Sequence, residues 1–198
     1  MRSRATNDLD GFDSGDLSAI LLGFREEVGE LNDVDAILDR ILGHARGFSR
    51  ADAGSIFLKE GDSLRFAYVH NDTLFEPGAT SEAQYADFTV PIDSGSIVGH
   101  VARTGRDLVV DDAYALPAEL PYRFNPKYDA EAGYRTISML TVPLRSGRGR
   151  LVGVMQLLNA RDTEGCTVPF SERAHRYATL LARDAAIAIE RGIVNRQS

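Results

Sequence analysis

The sequence contains a single cysteine, Cys166, no tryptophan, no long apolar run and no excess of basic charge. One thiol forms no internal disulfide or structural zinc site, and it cannot cycle through an intramolecular disulfide as a thiol-dependent sulfoxide reductase does. Lys and Arg number 22 against 29 Asp and Glu, a formal charge of −7, so the basic face expected of a duplex-binding protein is missing and nucleic acid is not an expected partner. Runs such as "AILL" are far too short to cross a bilayer, and the polar opening MRSRATNDLDGFDSGD has no signal-peptide character. The expected location is therefore the cytoplasm, without membrane attachment. Catalytic signatures are missing too: there is no GxSxG elbow, no GxxxxGK[ST], no HExxH and no CxxC. His44, His70, His100 and His175 are widely spaced, and none pairs locally with another histidine or with Cys166, so structural or surface roles are expected and no metal site. No enzymatic activity is expected.

What is present suits one globular domain with terminal extensions. The chain has 198 residues, 43% hydrophobic and 26% charged, long enough to bury a core without covalent staples. Residues 1–16 are polar and aperiodic and read as a disordered lead. From 17 to 48 the apolar residues follow helical spacing in two helices, Leu17 to Leu31 and Val34 to Phe48, with Asp33 as the N-cap of the second. Strands are expected at 55–59, 64–69, 87–92, 107–110, 137–144 and 151–158, and the turns at 60–63 and 146–150 make hairpins of two pairs. Two short helices interrupt the strands: "SIVGHVART" between Gly95 and Gly105, and "PKYDAEA" from Pro126 to Gly133. A closing helix at 171–192 carries an alanine-rich stripe, leaving a tail at 193–198. This order predicts a single α+β domain over 17–192, in which an antiparallel sheet within 54–158 carries the long terminal helices on one face and the irregular middle, with its two short helices, on the other.

Two segments carry the candidate chemistry. The loop "PIDSGS" leaves the first amides of a short helix, near Ile97, Val98 and Gly99, without intrahelical partners. Those amides serve either an anion or a side-chain cap from Asp93, Ser94 or Ser96, and spacing does not choose. In "RFNPKYDAEAGYRT" the carboxylate of Asp129 lies among aromatic and polar side chains. It suits a base N–H donor and equally the first turn of a helix.

The run "VPIDSGSIVGHVARTGRDLVVDDAY", followed by "RFNPKYDAEAGYRTISMLTVPL" and "GVMQLLNA", resembles a GAF domain, and within that family the cyclic-nucleotide-binding type found in phosphodiesterases and adenylyl cyclases. The likeness covers about residues 33–192. It implies a central antiparallel sheet, a pocket roofed by the two short helices, and dimers formed through terminal helices. It assigns Ser55, Ile97, Val98, Asp129, Thr136 and Gln156 to the pocket: Ile97 and Val98 would offer amides to a cyclic phosphate, and Asp129 and Gln156 would face the base or a lid. Asp129→Ala would then weaken nucleotide binding by roughly 1.5–3 kcal/mol with little effect on the unliganded fold.

The chain also departs from that family. Its nucleotide-binding members share Asn-Lys, a spacer, Phe, three residues and then Asp-Glu; here Asn159 and Phe170 match, Ala160 takes the Lys slot, Ala174 and His175 take the Asp-Glu slots, and Ala132 replaces a Thr-like contact. The Lys–Asp ion pair implied by the resemblance is thus lost on both sides, which leaves no orphan buried charge. The function implied is a non-catalytic sensor that binds a small ligand, cAMP or cGMP first, requires no cofactor, and regulates an output domain such as a phosphohydrolase, cyclase or kinase in the same or a partner chain. The chain would be a stand-alone regulator or an N-terminal fragment. The alternative is a degenerate GAF module serving only dimerisation.

Overall fold

A computed structural model describes residues 14–75, 88–92 and 95–197. Most of the expected polar lead, residues 1–13, lies outside them, but 14–16 are helical: α1 spans Ser14–Gly29, with Asp16 in its first turn, where a carboxylate is favoured by the helix dipole. Helix α2 (Val34–Ser49) starts where the sequence predicted, with Asp33 Oδ2 accepting from the Ala36 amide at 2.9 Å. Its expected face, including Val34, Ile37, Leu38, Ile41, Leu42 and Ala45, is buried. One residue, Arg50, turns the chain into β1 through a left-handed backbone conformation (φ 55°).

The strands are β1 (Ala51–Glu60), β2 (Ser63–Asn71), β3 (Thr89–Pro91), β4 (Leu108–Val110), β5 (Met139–Arg145), β6 (Leu151–Arg161) and β7 (Thr167–Val168). The described strands form one sheet in the order β3-β2-β1-β6-β5-β4, with β7 added beside β6, and every ladder is antiparallel. Between the strands lie α3 (Ile97–Thr104), a 3₁₀ turn at Ala113–Ala115 and α4 (Lys127–Ala132), and α5 (Glu172–Gln197) closes the fold. Strand β7 is too short for periodicity to reveal it.

Successive side chains of a strand point to opposite faces, and this sheet is covered on both. Ile56, Leu58, Leu140, Val142, Met155 and Leu157 pack with α1, α2 and α5 in the larger core. On the other face Phe57, Leu64 and Val154 meet Val98, Val101 and Ala102 of α3, and Met139 and Val110 meet Ile97. Among the described residues, no helix is long and apolar enough to cross a membrane.

Helix α5 corrects the expectation of a tail at 193–198, because residues 193–197 continue the helix. Arg191 donates to the carbonyl oxygens of Val28, Gly29 and Leu31, satisfying acceptors at the end of α1, and Arg196 reaches Asp35 at the start of α2 at 2.9 Å. Gly192 permits the approach: a Cβ there would stand 2.9 Å from Ile37 Cδ1. The alanine stripe of α5 is used within the chain, since Ala174, Ala178, Ala182, Ala185 and Ala186 are all buried.

Tyr177, fully buried on α5 and stacked on Phe48 at 3.9 Å, has a hydroxyl with no hydrogen-bond partner among the described residues. Burial, together with the nearby Glu27 carboxylate, pushes its phenol up to about 12. Unfolded tyrosine releases its proton near pH ~10. Above that pH the native state alone keeps the proton, so stability falls as pH rises toward the folded value. Tyr177→Phe is expected to keep or raise stability, by up to ~2 kcal/mol, because an unsatisfied hydroxyl is removed. It should also make the alkaline decline shallower by about one proton. Urea melts of both proteins at several pH values between neutral and alkaline check this; an unchanged alkaline slope refutes it.

Candidate functional site

A cavity of about 230 Å³ lies on the sheet face opposite the long helices. Its floor is Ala53, Ser55 and Phe57 of β1, Phe66 and Val69 of β2, and Gln156 and Leu158 of β6, and α3, α4 and the segments around 123–125 and 134–136 wall it. Ser55, Ile97, Val98, Asp129, Thr136 and Gln156 all line this one cavity, although they come from five separate stretches of chain.

The floor follows from register. Ser55 pairs with Gln156, and Gln156 with Thr141, so three polar side chains form a row across β1, β6 and β5. Within that row Gln156 Nε2 donates to Thr141 Oγ1 at 3.1 Å. Around the row stand Phe57, Phe66, Phe88 and Phe124, a mostly apolar surface with few fixed polar groups, as small-molecule sites generally have.

At the start of α3, Ser96 is the cap: its Oγ accepts from the Gly99 amide at 3.0 Å and its carbonyl accepts from the His100 amide at 2.9 Å. Asp93 and Ser94, the other candidate caps, lie outside the described residues. The amides of Ile97 and Val98 precede the first intrahelical bonds, so a capped start and an anion site are compatible here. Ser96 also forms a parallel bridge with Arg123, whose amide donates to the Gly95 carbonyl at 2.6 Å, and this sets the exposed Arg123 at the cavity wall beside the helix start. Gly105 ends α3 at φ 64° against the Arg145 side chain, where a Cβ would collide.

Asp129 departs from the expectation of a carboxylate left facing the cavity. It is 6% exposed, and its oxygens accept from the Thr136 amide (2.7 Å), Thr136 Oγ1 (2.9 Å) and the Tyr114 hydroxyl (2.8 Å). The same carboxylate holds the Tyr114 phenol above its ordinary value, and Arg135 lies over the Tyr114 ring at 4.1 Å. Asp129 therefore clamps the end of α4 to the approach of β5.

Ala160 and Ala174 are both buried in the larger core, so apolar packing stands where an ion pair was implied. His175 Nε2 instead meets Asp107 Oδ2 at 2.9 Å, and Thr179 Oγ1 donates to the same oxygen at 2.8 Å, tying α5 to the connector that follows α3. Asn159, at φ 55°, accepts from the Ile137 amide and donates to the Arg135 carbonyl and the Tyr134 hydroxyl. Sequence reasoning missed Tyr134, Asn71 and Arg123 as lining residues, and it missed Asp52 behind them. The available signal was an acid inside the small, apolar run "ADAGSIF".

A family model described as "GAF domain" matches residues 32–190, and the chain belongs to that family. It is 32% identical over 140 residues to the dual 3',5'-cyclic-AMP and -GMP phosphodiesterase 11 of Drosophila melanogaster, a match covering 67% of this chain and 9% of that protein. It is 30% identical over 160 residues to the cGMP-specific 3',5'-cyclic phosphodiesterase of Drosophila virilis, covering 78% and 17%. The chain thus spans less than a fifth of these curated relatives. Among solved structures, the GAF domain of a phosphoenolpyruvate-protein phosphotransferase from Coxiella burnetii superposes with a TM-score of 0.71 at 17% identity, covering 94% of this chain and all of that one.

Two substitutions test the site's construction. Asp129→Ala is expected to cost about 2–4 kcal/mol in chemical denaturation, because it leaves several donors unpaired, and Asp129→Asn is expected to cost less. An Asp129→Ala variant as stable as the wild type contradicts the clamp. Ala174→Asp alone inserts an unpaired buried charge and is expected to cost several kcal/mol, about 3–5. Part of that loss should return in the double variant with Ala160→Lys, measured the same way.

Proposed function

We propose that this chain is a non-catalytic sensor domain that binds a cyclic nucleotide or a similar small ligand and regulates an output domain in the same or a partner chain. The observation that carries the reading is the convergence of Ser55, Ile97, Val98, Asp129, Thr136 and Gln156 on one cavity. In this reading the amides of Ile97 and Val98, with Arg123 beside them, receive the cyclic phosphate, and the phenylalanine-rich floor receives the base. The curated relatives, phosphodiesterases of cAMP and cGMP by name, make those nucleotides the first candidates. Asp129 and Thr136 act through shape, since each occupies the other.

The working form is a cytoplasmic homodimer. Leu180, Ile187 and Val194 are exposed at seven-residue spacing on α5, and Leu22 is exposed on α1, which supports contact through the terminal helices. A second reading, a module without ligand, draws on the internal hydrogen bonds of Asp129 and Gln156. Calorimetric titration with cAMP and cGMP decides between the two. Binding heat for either, reduced about tenfold in affinity by Arg123→Ala, supports the sensor; no heat at millimolar nucleotide favours the module. For the dimer, light scattering should give twice the chain mass, and Ile187→Asp should shift it to the monomer mass. A wild-type mass that stays monomeric at every concentration refutes the dimer.

A further inference from the structure

Of the six residues of α4 only Asp129 is buried, and its carboxylate bonds to Thr136 and Tyr114 rather than to the sheet. Apolar burial therefore does little to hold residues 127–136 down over the cavity, and the segment depends on polar ties. The Tyr134 hydroxyl makes one of them. It donates to Asp52 Oδ2 at 2.7 Å and accepts from Asn159 Nδ2 at 2.9 Å.

Asp52, the second residue of β1, is 4% exposed and gathers donors from several directions. Arg161 Nη2, at the end of β6, reaches its Oδ1 at 2.5 Å. The Thr73 hydroxyl, just after β2, lies 3.0 and 2.8 Å from its two oxygens and accepts from Arg161 at 3.0 Å. Two of these contacts bear on the cavity, because Tyr134 lines it and Thr73 precedes Leu74, which lines it too. The Arg161 guanidinium and the Thr73 hydroxyl hold the Asp52 carboxylate in place independently of Tyr134, so the tyrosine bond can break and re-form without leaving the carboxylate alone.

We propose that Asp52 and Tyr134 form a latch that holds residues 127–136 closed over the cavity, and that ligand enters and leaves through release of the Tyr134–Asp52 hydrogen bond. Tyr134 is then a positioning residue, acting through the segment it fastens. The ligand part of this inference rests on the sensor reading above; the latch itself does not.

Amide hydrogen exchange on the full chain tests it. Tyr134→Phe removes only the hydroxyl. Exchange at 127–136 should quicken at least tenfold while β1, β5 and β6 keep their wild-type rates. Thr73→Val should quicken residues 71–75 in the same local way. Unchanged exchange at 127–136 overturns the latch. So does a uniform rise across the sheet, the mark of a merely structural contact. With cGMP as the probe, Tyr134→Phe should raise the dissociation rate about tenfold, and an unchanged rate overturns the gating role. Absence of cGMP binding to the wild type counts against the sensor reading for that nucleotide, and the exchange comparison still decides the latch.

Discussion

The central pair β1 and β6 is buried on both faces, and that constraint governs the rest of the molecule. Through the middle of these strands side chains alternate between the helix layer and the opposite face that carries α3 and the cavity, and the period of two assigns them. Ile56, Met155 and Leu157 go to the helices, whereas Ser55, Phe57 and Gln156 go to the cavity. A one-residue slip would exchange the two sets and destroy core and site together. The register is held partly by close approach: a Cβ on Gly153 would lie 2.1 Å from the Phe57 carbonyl oxygen. Where β1 pairs with β2, a shift between Ile56 and Phe57 adds an irregularity beneath the cavity floor.

Polar groups near the cavity are largely spent on construction. Asp52 and Asp129 are both buried carboxylates, and each is surrounded by donors that keep it in place. Loss of the implied charge pair at Ala160 and Ala174 fits this economy. The apolar core is continuous there, and the charged tie of α5 lies elsewhere, at Asp107, His175 and Thr179. Because Asp107 follows α3 and α3 borders the cavity, cavity wall and closing helix share one hydrogen-bonded junction.

Legibility in the sequence divided along physical lines. The element order, the two hairpins, the Asp33 cap and the glycine stops at Gly105 and Gly133 are local matters, and each appears in the structure near its expected place. Ile97, Val98 and Asp129 stood out as candidates in the sequence itself, but that they share one cavity with Ser55, Thr136 and Gln156 was implied by the resemblance alone, since nothing in spacing brings Ser55 next to Gln156; strand pairing does. The continuation of α5 past 192 was hidden because its supports, Arg191 and Arg196, bond to groups at the far end of the chain.

By itself, then, the sequence determined what short-range chemistry controls: periodicity, capping, turn residues and the choice between helix and strand. Only the tertiary structure decided which donors claim each buried carboxylate. Asp52 takes Thr73, Tyr134 and Arg161 from 21, 82 and 109 residues away, and Asp129 takes Tyr114 and Thr136 where a ligand had been expected. The reason is that a carboxylate's lone pairs go to whichever donors the packed chain brings within reach, and that proximity is a property of the fold and not of the residues beside it in sequence.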